Sequence, residues 1–255
     1  MKRGLRLAPA VLAAGACALA ASGARAGSED AHDAKFGLTG DWGGARTRLK
    51  DSGWTVQVRE KFEAAGNLRG GDRKLGVGAG ELRLGLAGDL EKAIGLRGGK
   101  VQLTLTNRHG GSLGPSAGLD PLQAFIEVHG RGDRWRLTQF WYEQTLGAFA
   151  LKLGRVNPGS DFDAFACDFE NLTFCGSAPG NLAGDYWFNA PVSQWGARAK
   201  LTFGDDAGYV EAGAYEVNPR NLHDGFTLSF AGGEGALFPV EAAWTPKLGA
   251  AGLPG

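Results

Sequence analysis

Apolar and polar residues alternate one by one along many short stretches of this chain. Between residues 54 and 61, apolar side chains occupy Trp54, Val56 and Val58, and polar or charged side chains occupy the positions between them. Such alternation is typical of a β-strand whose two faces meet different surroundings. The pattern predicts an all-β fold with nine strands, at about residues 54–62, 79–89, 99–107, 134–144, 147–155, 195–204, 208–217, 225–230 and 238–245.

The connections between the predicted strands alternate in length. In chain order they cover about residues 63–78, 90–98, 108–133, 145–146, 156–194, 205–207 and 218–224, and the odd-numbered ones are the longer. Bacterial outer-membrane barrels show this asymmetry, with short periplasmic turns and long extracellular loops. A final gap at 231–237 is not clearly short and fits the pattern less well.

The chemistry of the two strand faces is compatible with two architectures. The polar faces carry charged side chains, among them Arg59, Lys61, Glu81, Arg83, Lys152, Arg198, Lys200, Glu211 and Glu241. In a soluble β-sandwich these side chains would face water, whereas in a membrane barrel they would line a wet lumen and the apolar face would meet lipid. Alternation does not separate the two, but the loop asymmetry favours a transmembrane antiparallel β-barrel.

The first 26 residues have the organisation of a secretory signal peptide. Lys2, Arg3 and Arg6 precede an apolar, alanine-rich run that ends in Ala24-Arg25-Ala26. A basic start, an apolar middle and small residues at the cleavage position define such a leader, and the run is too short to favour a membrane anchor. We therefore predict that the protein is exported.

Composition narrows the possible partners. The chain has 27 Lys and Arg against 27 Asp and Glu, so its balanced charge does not suggest a nucleic-acid partner. After the predicted leader only Cys167 and Cys175 remain, and an oxidising compartment favours a disulfide between them. A metal site built from these cysteines and scattered histidines is much less favoured, and we expect no cofactor.

Five segments together resemble the carbohydrate-selective porin family of Gram-negative outer membranes, the OprB type. They are "LTGDWGGARTRLKDSGW" (38–54), "WYEQTLGAFALKLGRVNPGSDF" (141–162), "ACDFENLTFCG" (166–176), "YEVNP" (215–219) and "FPVEAAWTPKLG" (238–249). The resemblance implies a sixteen-stranded outer-membrane barrel that passes glucose and related sugars. It also implies that residues 27–53 lie at the periplasmic mouth, with a short helix that begins near Gly43 and is capped by Asp41; an ordinary surface turn is the alternative.

The number of predicted strands departs from that family. Nine is odd and too small, whereas bacterial single-chain barrels have an even number of strands. An open sheet would leave unpaired backbone groups in lipid, at a cost of several kcal/mol each. We therefore expect residues 54–255 to be the N-terminal part of a longer porin barrel, and the sequence to be a fragment.

A sugar pore needs hydrogen-bonding side chains that replace water and aromatic rings on which sugars stack, and it must bind weakly. The long loop 156–194 is the predicted constriction, although its aromatic residues have the alternative of forming a small core of their own. Trp141 has the alternative of belonging to an interfacial girdle. The candidate pore-lining residues are Arg59, Arg83, Gln139, Trp141, Glu143, Arg155, Asp161, Phe162, Asp163 and Trp187.

The predicted function is the diffusion of sugars such as glucose into the periplasm, in contact with outer-membrane lipid and with a homo-oligomer as one possible assembly. A general, unselective diffusion porin is the first alternative, and a secreted soluble carbohydrate-binding sandwich is the second. An enzyme is disfavoured because the sequence lacks a G-x-S-x-G motif and places no histidine as a base.

Overall fold

The computed structural model describes residues 39–121, 124–164, 177–183, 186–204, 207–248 and 253–254. The predicted signal peptide, the N-terminal segment up to residue 38, and both Cys167 and Cys175 lie outside the described residues. The leader and the disulfide therefore stay predictions. None of the helices within the described ranges is long and apolar enough to cross a membrane.

Antiparallel β-structure dominates the described chain. One sheet contains β1 (Trp54–Gly66), β2 (Gly76–Asp89), β3 (Gly99–Gly110), β4 (Arg134–Leu146), β5 (Phe149–Val156), β6 (Gln194–Phe203), β7 (Gly208–Val217), β8 (Gly235–Leu237) and β9 (Val240–Trp244). From β1 to β7 each strand pairs with the next one along the chain. A small hairpin of β10 (Lys247–Leu248) and β11 (Leu253–Pro254) follows. The first seven predicted strands are thus confirmed.

Strands β8 and β9 occupy a single position in the sheet. Leu237 of β8 lies opposite Tyr215, and Val240 of β9 lies opposite Ala212, so both continue one register along β7. Pro239 lies between them, and proline has no N–H to donate to a ladder. Nine strands therefore fill eight positions. Within the described residues, β1 and the β8–β9 edge each pair on one side only, and their pairing with further strands stays a prediction.

The predicted strand at 225–230 is wrong. These residues form no ladder with the sheet, and they belong to a connection that extends from β7 to β8. The alternation in "GFTLSF" has another origin: the segment packs across the outward side chain of Trp195 and turns its apolar residues outward. The correction makes 218–234 a single long loop. Long and short connections therefore alternate from 111–133 onwards, whereas the first two connections, 67–75 and 90–98, are equal in length.

The helices are short and lie in the connections: α1 (Ala45–Asp51), α2 (Leu90–Ile94), α3 (Leu113–Ala117) and α4 (Ala178–Leu182). The predicted N-terminal helix exists and begins at Ala45. Asp41 accepts hydrogen bonds at Oδ1 from the Thr47 backbone N–H at 2.9 Å and from its hydroxyl at 2.8 Å. The Gly53 carbonyl accepts from the Asp89 N–H at 2.7 Å, which fixes this segment beside the α2 turn, at the short-turn end of the sheet.

Exposure of the two sheet faces distinguishes the barrel from the sandwich. Large apolar side chains are exposed on one face, including Val58 at 63% and Leu201 at 52%. Polar side chains are buried on the other face, including Thr104 at 5% and Glu211 at 1%. A soluble sandwich would bury the apolar face instead. The face that carries Thr104 and Glu211 is hereafter the inner face, and the opposite one is the outer face.

Candidate functional site

The inner face of β1 to β3 contains a shallow depression. It is lined by Gln57, Arg59, Arg83, Gly85 and Thr104. Arg59 lies directly opposite Arg83 in the β1–β2 ladder, so two guanidinium groups start from neighbouring positions. Gly85 leaves the floor open, because a Cβ there would come within 2.9 Å of the Gln57 side-chain oxygen. The predicted residues Arg59 and Arg83 are therefore brought together.

A chain of polar side chains continues this depression towards β4. The Gln102 amide donates to the Thr104 hydroxyl at 2.9 Å, and that hydroxyl donates to Gln139 Oε1 at 2.8 Å. Two residues further along β4, the Trp141 ring lies below the Lys152 ammonium, 4.9 Å from the ring centroid. Gln139 and Trp141 thus share the inner face, and Trp141 does not belong to an outward girdle.

Glu81 holds two arginines of the inner face in place. Its Oε1 lies 2.6 Å from Arg83 Nε and its Oε2 lies 2.5 Å from Arg108 Nε, while Glu81 itself is buried. Charge-assisted bonds to a carboxylate orient a guanidinium more strongly than neutral ones. Glu81 is consequently a positioning residue for Arg83, and sequence analysis placed it on the polar face without giving it a role.

The loop between β3 and β4 folds onto the inner face. The buried Glu63 carboxylate accepts the backbone N–H groups of Glu127 at 2.7 Å and Val128 at 3.1 Å. Ile126 and Val128 pack against Ala79 of β2. Sequence analysis did not assign this loop to the constriction. The available signal was a cluster of apolar residues, Phe125, Ile126 and Val128, that is interrupted by one charged residue inside a loop otherwise rich in glycine and polar residues.

The loop between β5 and β6 also folds onto the inner face, at β5 and β7. Phe162 is 1% exposed and packs edge-to-face on Tyr215, with ring centroids 6.0 Å apart, and on Trp187 at 6.4 Å. Gly213 makes room for both rings, since a Cβ there would lie 2.9 Å from Phe162 and 2.5 Å from Tyr215. Phe162 and Trp187 therefore anchor the loop, and Phe162 offers no free ring face.

Ion pairs attach the same loop to the wall. Asp161 accepts from the Lys152 ammonium at 2.5 Å and from the Tyr215 hydroxyl at 3.2 Å. Arg198 binds Glu143 through Nη2 and Glu211 through Nη1, the latter at 3.0 Å. Asp161 and Glu143 are thus on the inner face, where they hold cationic side chains in place.

Asp163 lies just beyond, in the same loop. Its backbone N–H donates to Glu241 Oε2 at 2.5 Å, and its carboxylate accepts from the Ala178 N–H at 3.1 Å. Burial raises the pKa of Asp163, and the nearby Glu241 carboxylate adds to that rise while the Ala178 N–H opposes it. The residue therefore joins two parts of the loop to β9.

Arg155 lies at the root of the loop, but not against open lumen. It is 1% exposed, and its guanidinium donates to the Ser193 carbonyl at 2.7 Å and to Asn221 Oδ1 at 3.1 Å. Arg136 of β4 donates to the Leu222 carbonyl at 3.0 Å. These contacts tie the 218–234 loop to the strands beneath it, which favours a loop-anchoring role for Arg155 over direct contact with a solute.

The inner face is a wall of polar and charged side chains. Across the described ranges, no group of three or more His, Cys, Asp or Glu residues could hold a metal ion. Several charged groups of the inner face are held in ion pairs, among them Glu81 with Arg83 and Arg108, and Arg198 with Glu143 and Glu211. The depression on β1 to β3 supplies guanidinium, amide and hydroxyl groups on the same face onto which the two loops fold.

Comparison with known proteins agrees with this architecture. The family model of the carbohydrate-selective porin, OprB family, matches residues 76–255. Porin B of Pseudomonas aeruginosa is 47% identical over 228 residues, which cover 86% of this chain and 50% of that protein. The putative porin QuiX of Acinetobacter baylyi is 38% identical over 232 residues, which cover 86% of this chain and 53% of that protein.

Two solved structures of Pseudomonas putida OprB also match. The high-pH structure gives a TM-score of 0.79 at 44% identity and covers 85% of this chain and 53% of its own. The low-pH structure gives 0.54 at 32% identity and covers 85% and 57%. The chain spans about half the length of the curated relatives that it matches. The predicted family, barrel fold, outer-membrane location and lack of enzymatic activity are confirmed, and the chain belongs to the OprB family of carbohydrate-selective porins of the Gram-negative outer membrane.

Proposed function

We propose that the full-length protein passes monosaccharides such as glucose across the outer membrane, and that the inner face of this chain binds their hydroxyl groups weakly on the way. One observation carries the proposal: a depression lined by guanidinium, amide and hydroxyl groups lies on the inner face, onto which two loops also fold. A neutral sugar exchanges water for such groups without a large change in charge.

The residues divide into those that contact sugar and those that hold the site. Arg59, Arg83 and Gln139 supply hydrogen-bonding groups to the solute, and Trp141 supplies an aromatic plane. The loop anchors and ion pairs keep the passage narrow: Glu143, Asp161, Phe162, Asp163 and Trp187. Arg155 instead anchors the 218–234 loop to the strands. Each sugar contact contributes about 1 kcal/mol net, because a site that held sugar tightly would not conduct.

The general diffusion porin remains the alternative. Such a pore sorts solutes mainly by size, so its wall needs no site that binds a neutral solute. The bidentate use of Glu81 to orient Arg83 and Arg108 favours a selective passage.

Contact with outer-membrane lipid is supported by exposed apolar side chains such as Val58 and Leu201. We also propose that the protein forms a homo-oligomer. Measuring the mass of the detergent-solubilised protein tests this assembly.

Glucose block of ion current through single channels in planar bilayers tests the sugar site. Arg83→Gln keeps a hydrogen-bonding group but removes the charge and shortens the side chain, so glucose block should weaken several-fold and conductance should rise. Leu84→Ala, one position along on the outer face, is the matched control and should change neither. Block that responds to the Leu84 change and not to the Arg83 change would invert the assignment of faces and defeat the proposal.

A further inference from the structure

Part of the loop between β7 and β8 lies on the outer face of the sheet. The Trp195 indole N–H donates to the Leu228 carbonyl at 3.0 Å, and the Trp195 ring stacks on Phe230 with centroids 5.7 Å apart and planes 23° apart. Gly196 faces inward, because the Tyr215 ring lies over it on the inner face. Adjacent residues of a strand face opposite sides, so the Trp195 side chain points outward. The segment 226–230 therefore crosses the outside of β6.

This segment has one apolar edge and one polar edge. Phe226, Leu228 and Phe230 are 53%, 51% and 66% exposed. The polar side chains between them bond to the nearby backbone: the Thr227 hydroxyl accepts a hydrogen bond from the Ser229 N–H at 3.3 Å. Three large apolar side chains exposed in a row are unfavourable in water and indicate contact with a partner or a membrane.

A groove separates the segment from the strands beneath. Its volume is about 560 Å³, within the size range of ligand pockets. Small residues of three adjacent strands, Ala197, Ala214 and Ala236, form the floor, and aromatic rings that include Phe230 and Phe238 form the walls. Glu216 also lines this open groove, but its carboxylate is 7% exposed and accepts hydrogen bonds from the Trp195 backbone N–H and the Asn218 amide. The remaining surface of the groove is mainly apolar and fits a hydrocarbon chain better than a charged group.

We propose that residues 226–230 lie in the outer leaflet of the membrane and that the groove beneath them holds an acyl chain of a membrane lipid. The groove opens onto the outer face, whose exposed Leu201, Val210 and Val240 continue the same apolar surface. In an outer-membrane barrel the apolar outer face lies against lipid. The groove lies where β6 begins and β7 ends, next to the long loops, and long loops mark the extracellular side.

The position of the segment is measured by spin labels in bilayers. Single cysteines replace residues 226 to 230 in turn, in a full-length protein whose Cys167 and Cys175 are serine. Labels at Phe226→Cys, Leu228→Cys and Phe230→Cys should be more accessible to oxygen than to a water-soluble nickel chelate, and labels at the two positions between them should show the reverse. Preference for the nickel chelate at all five positions, or protection from both reagents, would overturn the proposal; the second result would indicate that protein covers the segment.

Lipid retention tests the groove itself. The full-length protein is reconstituted with a single phospholipid, extracted in detergent and analysed by native mass spectrometry. The wild-type protein should retain a bound lipid, and Ala214→Leu, which fills the floor, should lose it. Ala212→Leu adds the same bulk two residues along the same outer face, outside the groove lining, and should retain the lipid. No retention by the wild type, or equal retention by both variants, would contradict the proposal. Neither experiment depends on passage of sugar.

Discussion

Replacing Phe162 by alanine should release the loop between β5 and β6 from the inner face. The side chain is 1% exposed and packs on Trp187, Tyr215 and Val156. Truncating a buried phenylalanine costs about 3–5 kcal/mol, of which each aromatic pair accounts for roughly 0.5–1.5 kcal/mol. Because 1.4 kcal/mol corresponds to a tenfold change in an equilibrium, the ratio of docked to released loop should fall roughly a hundredfold or more.

Single-channel recording of the full-length protein measures the consequence. We expect Phe162→Ala to raise conductance and weaken glucose block, while the barrel resists unfolding by detergent and heat as before, since the strand ladders do not involve this ring. Phe149→Ala makes the same change at an exposed outer position and should leave the current unchanged. Identical currents in both variants and the wild type would refute the role of Phe162 as the loop anchor.

Three further outcomes follow from the geometry. Arg155→Met should speed hydrogen exchange in the 218–234 loop and increase open-channel noise, whereas Arg97→Met, at an exposed site at the opposite end, should do neither. Mass spectrometry of non-reduced, alkylated protein should show Cys167 linked to Cys175, and two alkylated thiols would contradict the disulfide. Burial raises the pKa of Glu127, so the contribution of Glu127 to docking of its loop is fully present below pH 4.5 and is lost as pH rises through the raised value. In Glu127→Gln the exchange protection of residues 126–128 should no longer decrease over that range.

The direction of each strand residue was largely predictable from the sequence. Side chains alternate strictly along a strand, so assigning one residue to a face assigns its neighbours. Arg59, Arg83, Gln139 and Trp141 accordingly share the inner face. The same rule also predicts the direction of Arg155. This residue lies three positions after the inward Lys152, so its side chain starts on the outer face of the sheet.

The packing of the loops was not predictable in the same way. The bond between Glu63 and the Glu127 amide joins residues 64 apart in sequence, and no local pattern specifies such a contact. For the loop between β5 and β6, two glycines were an overlooked signal. Gly196 and Gly213 lie on the polar faces of β6 and β7, where the absent side chain leaves room for the Tyr215 ring. The wrongly predicted strand at 225–230 has a related cause. Alternation of apolar and polar residues shows only that the two sides of a segment meet different surroundings, and it does not show that the segment pairs with another strand.

The central claim, that the inner face binds sugar in passing, is tested most directly by the concentration dependence of glucose flux into liposomes that contain the full-length protein. Weak binding to the wall predicts a flux that saturates as glucose concentration rises and that exceeds the flux of an acyclic polyol of similar size. A flux that stays proportional to concentration and is equal for the two solutes would contradict the account and identify an unselective diffusion pore.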